Sequence, residues 1–211
     1  MLQTTKAIVL NAFPYNETSL ITKLYTKEFG SKGYIVKGVR RNKASLSASL
    51  FQPLQIIEAE VYNNQRQSLQ ILKTATIIDP LSSLRLNIVK STLTMFITEV
   101  INHSIGGETS DNTMFDFLFD KIKSLDIADN AHLADFHLHF MMDFAGVLGF
   151  DLANYDWGTN NELTAYFNSP QQSATKTQRN VILSTLIGFY EIHITSNRKI
   201  LSHKILHEIL N

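Results

Sequence analysis

Cysteine is absent from all 211 residues. Its absence excludes a disulfide scaffold, a thiolate nucleophile and any cysteine-ligated zinc site, and it suits a reducing cytosol. Long apolar runs are missing as well. The first apolar run is the four residues Ala7 to Leu10, short of the ~7–15 residues of a signal-peptide core. No window approaches the roughly 18 apolar residues of a membrane span. The expectation is a soluble, cytoplasmic protein with no membrane partner. No Gly-Lys pair occurs, so the phosphate loop G-x-x-x-x-G-K-[ST] is excluded, which argues against intrinsic ATP hydrolysis. The nucleophile elbow G-x-S-x-G is also missing. A non-enzymatic protein without catalytic residues or cofactor is expected.

One sign of charge is missing from one stretch. The chain carries 19 basic and 19 acidic side chains, yet no carboxylate lies between Glu28 and Glu58. That interval holds Lys32, Lys37, Arg40, Arg41 and Lys43. Residues 1–80 contain ten Lys/Arg against five Asp/Glu, a net of +5, and residues 81–211 carry the balancing −5. Clustered cations without acidic neighbours repel one another unless an anion is bound. Tyr34 and Phe51 flank them, and aromatic rings beside a positive groove are what single-stranded nucleic acid needs for stacking. The candidate nucleic-acid set is therefore Lys32, Tyr34, Lys37, Arg40, Arg41, Lys43 and Phe51. No base-reading motif accompanies it, so binding is expected to be largely independent of sequence.

The hydrophobic pattern changes period once. Up to residue 80 it is strand-like: "KAIVLNAF", "SLITKLYT", "YIVKGV", "LQIIEAEVY" and "LQILKTATII" are short runs rich in Ile, Val, Leu, Tyr and Thr, separated by turn residues. Five strands with a long connection between the third and fourth favour closure into an OB-type barrel, and an SH3-like barrel is the other closure the pattern allows. After "DPLSSL" the period is helical. One helix begins at Ser82 or Ser83 with the stripe Val89, Leu93, Phe96, Ile97, Val100 and Ile101, and ends at Gly106-Gly107. A second begins at Asp111 or Asn112, a third runs from Asn130 to Gly149, and a short piece follows Thr159 with Glu162 completing a capping box. Two more lie within 177–193 and 200–210. The expectation is an α+β chain, with residues 1–80 as a five-stranded OB-fold β-barrel and residues 81–211 as an all-α helical domain.

Other constellations carry less. His203 and His207 share a helix face and Glu208 follows, but the zinc-protease order H-E-x-x-H is not there. His137 and His139 stand about 200° apart on a helix and cannot chelate together; with His132 they are expected at the surface or its boundary. Asp116 and Asp120 read as a solvated face. No metal site is expected. A groove between the aromatic stripes at 115–119 and 136–144 would suit a partner's apolar tail.

Several features of the first half occur together in one known family. A first strand "KAIVL" is followed by a turn with Tyr15, Glu17 and Ser19, a second turn with Thr26 and Gly30, then Lys37-Gly38 with Arg40, Ala44 and Ser45, and Phe51-Gln52-Pro53. In this order they resemble the N-terminal domain of RecO, the bacterial recombination mediator family. "LGF" at 148–150 and the helical layout resemble its second half. The resemblance implies an OB-fold followed by helices. It implies binding of single- and double-stranded DNA, annealing of complementary strands, and loading of a recombinase, with RecR, onto DNA coated by single-stranded-DNA-binding protein, whose tail is a partner. Lys37, Arg40, Arg41 and Lys43 fall at the phosphate-contacting positions. Many members carry a four-cysteine zinc module after the "LGF" segment. Here that stretch has no cysteine, and packing of Trp157, Tyr166 and Phe167 is expected to take its place. A different kind of function, a protein-interaction adaptor whose basic barrel meets an acidic partner, fits the same charges.

Overall fold

The computed structural model describes residues 1–39, 46–64, 67–107, 109–157, 164, 166, 174–195 and 198–210. Five strands come first: β1 (Leu2–Tyr15), β2 (Ser19–Thr26), β3 (Gly30–Val36), β4 (Ile56–Tyr62) and β5 (Leu69–Asp79). They close into a barrel in the order β1-β2-β3-β5-β4. All neighbours are antiparallel except β3 and β5, which run parallel. This is the OB-fold, and closure leaves no unpaired sheet edge. Parallel pairing of β3 with β5 requires the chain to cross over, and the long connection 37–55 begins that crossing.

Strand alternation sets the interior. Ala7, Val9, Leu20, Leu24, Tyr34, Val36, Ile57, Ala59, Val61 and Leu72 form one buried cluster. β1 serves two neighbours, pairing with β4 over Leu2 to Ile8 and with β2 over Ala7 to Tyr15. The register skips between Val9 and Asn11, a bulge that lets a long strand bend around a small barrel. Beside it the segment after a 3₁₀ turn (Ala48–Phe51) returns to β1: Leu54 N–H donates to Val9 O at 2.8 Å, and Val9 N–H donates to Gln55 O at 2.9 Å.

The turn motifs have local causes. Thr26 Oγ1 accepts the Phe29 N–H at 3.0 Å and donates to Gly30 O at 3.0 Å, and Gly30 takes φ 65°. A threonine four residues before a glycine thus closes the β2–β3 turn with its own side chain, and the left-handed backbone there favours Gly.

Helices follow: α1 (Ser83–Leu86), α2 (Ile88–Ser104), α3 (Asn112–Ile127), α4 (Asn130–Leu133), α5 (Phe136–Val147), α6 (Lys176–Phe189), which runs on into a π-helical turn (Tyr190–Ile194), and α7 (His203–Leu210). None is long and apolar enough to cross a membrane among the described residues. The short piece expected after Thr159, with Glu162, lies outside the described residues.

The chain forms two compact units, residues 1–85 with 105–123, and residues 86–104 with 124–211. The change of period near residue 80 marks where strands end, whereas the units follow packing. In the first unit α3 lies on the barrel: the Tyr25 and Phe115 rings stack with centroids 6.3 Å apart, Lys27 Nζ reaches Asp116 Oδ1 at 2.8 Å, and Lys123 Nζ reaches Asp79 at 3.5 Å.

The second unit has its own core. Leu93, Phe96, Ile97, Val100 and Ile101 of α2 are buried, as are Leu138, Phe140, Met141 and Phe144 of α5 and Leu183, Leu186 and Ile187 of α6. Two caps hold its helix starts. Thr175 and Gln178 form a reciprocal capping box at α6. Glu99 of α2 accepts the backbone N–H groups of Leu201 and Ser202, and the Ser202 hydroxyl, at the start of α7. Burial alone would raise the Glu99 pKa, but the Ser202 side-chain and backbone bonds, the Leu201 N–H and the charge on His103 more than offset it and leave it lowered.

Two expectations for this half are corrected. The third helix is interrupted at Ala134–Asp135, because the Asp135 carboxylate is taken by α6: it accepts Ala174 N–H at 2.9 Å and faces Arg179 Nη1 at 3.4 Å, while that same Nη1 donates to Ala174 O at 2.8 Å. His137 is not at the surface or its boundary. It is buried with its edge against Phe96, and burial drives its pKa down to about 3, against a raising influence of Asp135. In the zinc-module region Trp157 packs against Tyr155 at 4.7 Å and Phe189 at 5.6 Å, and the Tyr166 hydroxyl lies 3.3 Å from His139 Nε2. Phe167 lies outside the described residues.

Candidate nucleic-acid interface

The basic segment leaves the barrel at the end of β3. Val36 is buried, Lys37 is exposed, and Gly38 turns the backbone with φ 72°. Val39 then returns to the core cluster, as do Leu46 and Phe51 further on. Val39 and Leu46 are thus buried on either side, in sequence, of residues 40–45, which include three cations. Arg40, Arg41 and Lys43 themselves lie outside the described residues.

Three of the seven candidate positions are placed differently from expectation. Tyr34 and Phe51 are buried in the barrel core. Tyr34 shares the inward parity of Val36 in β3, and Phe51 ends the 3₁₀ turn that plugs the barrel, so neither ring is open to stack on a base. Lys32 also has the inward parity. It is only 8% exposed, and its Nζ donates to Asn63 Oδ1 at 3.2 Å. Its ammonium is part of the barrel end and not of an open cationic surface.

The exposed aromatic side chains of the barrel are Phe13, Tyr15 and Tyr62, at 49%, 41% and 44% exposure. Sequence reasoning passed over them. The signal was available: outward positions of a strand alternate with buried ones, and large apolar groups at outward positions of an OB-fold sheet need a reason. Three lysines stand near them. Lys23 pairs in register with Asn11 and Gly33, Lys37 follows β3, and Lys73 of β5 faces Glu60 across a surface pair of 3.6 Å, a contact worth little in water. Among the described residues no group of three or more His, Asp or Glu side chains is arranged to hold a metal ion.

Chemically, the described residues of this surface offer cations and aromatic rings. They suit a polyanion with flat apolar faces. The family model described as "Recombination protein O N terminal" matches residues 1–81. A DNA repair protein RecO of Flavobacterium psychrophilum is 30% identical, covering 98% of this chain and 98% of its own length. That of Christiangramia forsetii is 31% identical over 99% of each. That of Bacteroides fragilis is 35% identical over 71% of this chain and 61% of its own. With the barrel topology, the turn motifs and similarity running from end to end, the chain belongs to the RecO family of DNA repair proteins.

Proposed function

We propose that this chain serves recombinational DNA repair as a DNA-binding mediator that performs no covalent chemistry. It binds single- and double-stranded DNA, anneals complementary strands and, with RecR, helps load a recombinase onto DNA coated by single-stranded-DNA-binding protein. Lys37, Arg40, Arg41 and Lys43 hold phosphates. The observation that supports this most is the stretch from 29 to 57, which lacks any carboxylate and in whose sequence Arg40, Arg41 and Lys43 lie between the buried Val39 and Leu46. Neutralising the phosphates of two strands lowers the repulsion that opposes their pairing, which is all that annealing requires of a protein. In cells this work puts the protein in the cytoplasm, at the nucleoid during repair.

The expected salt response follows from the four cations. On single strands each neutralised phosphate contributes about −0.7 to the log–log slope of affinity against salt, so a slope of about −2.8 is expected. A titration of labelled oligothymidylate at several salt concentrations measures it. A slope near zero would remove the electrostatic basis of the proposal.

A protein partner is favoured by one feature of the helical unit. A groove of 690 Å³ is lined by Leu183, Ile187 and Gly188 of α6 and by His203, Lys204 and His207 of α7. Its lining combines the apolar Leu183 and Ile187 with Lys204 and the carboxylates Glu191 and Glu208, and the apolar part is a suitable seat for the tail of single-stranded-DNA-binding protein. If the barrel instead serves as an adaptor for an acidic protein, competitor DNA will fail to displace that protein.

A further inference from the structure

Resting on the DNA-binding reading, we infer that the outer face of the barrel is a stacking platform for unpaired bases, so that the barrel prefers single strands to duplex. The register builds the face. Phe13 pairs with Ile21, Ile21 with Ile35, Ile35 with Ile71, and Ile71 with Tyr62. Residues directly opposite one another share a face, so these five side chains form one row across all five strands. With neighbouring strands ~4.8 Å apart, the row is about 19 Å long. The adjacent row, made of Leu20, Val36, Leu72 and Val61, is buried in the core, which fixes the first row as outward. Ile71 is 36% exposed, and Tyr15 lies on the same face two residues beyond Phe13.

The surroundings select the occupant. The row on one side comprises Asn11, Lys23, Gly33 and Leu69. A Cβ at Gly33 would come 3.1 Å from Leu69 Cδ1, so a side chain is crowded out there. The Leu69 side chain covers this glycine, so the apolar surface continues toward Lys23. On the other side stand the exposed Lys37, just past the end of β3, and Lys73, which faces Glu60. An apolar aromatic row bordered by cations on both sides complements a chain with flat bases and charged phosphates. Duplex DNA stacks its bases on one another and offers this row only sugar and phosphate. Single strands therefore gain stacking plus charge, and duplex gains charge alone.

The test uses the full chain and two probes at matched salt, a twenty-nucleotide oligothymidylate and a duplex of the same length. Stacking on one ring contributes roughly 5- to 150-fold in affinity. The variant Phe13→Ala/Tyr62→Ala is expected to lose at least about tenfold on oligothymidylate and less than about twofold on duplex. Equal loss on both probes, or no loss on oligothymidylate, overturns the platform. Since both residues lie at the surface, thermal melting confirms folding. If the double variant does not fold, Phe13→Trp gives a second reading: its fluorescence is quenched by oligothymidylate and not by duplex, and absence of that quenching overturns the inference. A wild-type chain that binds neither probe would sink the DNA-binding reading itself, whereas normal wild-type binding with an unaffected variant would sink only the platform.

Discussion

Replacing Asp135 by asparagine is expected to destabilise the helical unit by about 3 kcal/mol, because it leaves the largely buried Arg179 guanidinium without its counter-charge. The Asp135 carboxylate joins three things at once: the start of α5, the Ala174 N–H just before α6, and Arg179 within α6. It therefore ties the chain just before α6 back to the start of α5. In the same unit Tyr155 and Trp157 pack against each other and against Phe189 of α6. For a chain of this size the loss corresponds to a fall in melting temperature of roughly 6–12 °C. The pairwise swap Asp135→Leu/Arg179→Met is expected to recover at least half of that fall, since replacing both members of a buried pair leaves no uncompensated charge. Calorimetry of the wild type and the two variants measures it. A single variant that melts with the wild type would mean the clasp contributes nothing.

The second large effect is a loss of stability in mild acid, traced to His137. Burial holds its pKa at about 3 in the folded chain, with Asp135 opposing and Arg179 and His139 assisting, against 6.5 for a free imidazole. Below pH 6.5 the unfolded chain takes up a proton at this position, and the folded chain does not until about pH 3. Acid therefore favours unfolding throughout that window, and stability falls as pH falls. At about pH 5 the loss is about 2 kcal/mol, from roughly 1.4 kcal/mol per pH unit. Glu99 and Glu191 also have lowered pKa values, but their contribution is present above their ordinary value of 4.5 and is lost only as pH falls through that range. The interval from 4.5 to 6.5 thus belongs to His137. Denaturant titrations across it are expected to show a slope that His137→Leu abolishes. The same slope in the variant would assign the effect elsewhere.

Why some of this was legible in the sequence and some was not can be traced to particular residues. The five strands and their turns could be read because Gly30, Asn16 and the serines near 45–49 punctuate runs of β-branched and aromatic residues. The OB closure followed from the length of the connection after β3. The direction of side chains in β3 could not be read. Tyr34, Ile35 and Val36 are all apolar, so alternation does not say which face is inward, and Tyr34 was set on the wrong one together with Lys32. Phe51 follows a serine-rich run that looks solvated, yet the 3₁₀ turn at 48–51 carries its ring into the core. In the helical half Asp135, His137 and His139 look like a polar surface. Asp135 and His137 are buried and His139 half-buried; the partner of Asp135, Arg179, lies 44 residues further on, a distance that periodicity does not see. The capping box at Thr175 and Gln178 carried its T-x-x-Q signature openly and was passed over in favour of Thr159.

The basic segment is where sequence and structure bear on function together. Its cations are read from composition alone, and the barrel contributes the anchors on either side and the exposed Lys37. The most direct measurement is the rate at which complementary oligonucleotides anneal in the presence of wild-type protein and of the variant Lys37→Ala/Arg40→Ala/Arg41→Ala/Lys43→Ala, with melting curves to show that both are folded. The account predicts that the variant melts normally and anneals at least about tenfold more slowly, as loss of four phosphate contacts requires. A folded variant that anneals strands as fast as the wild type would contradict it.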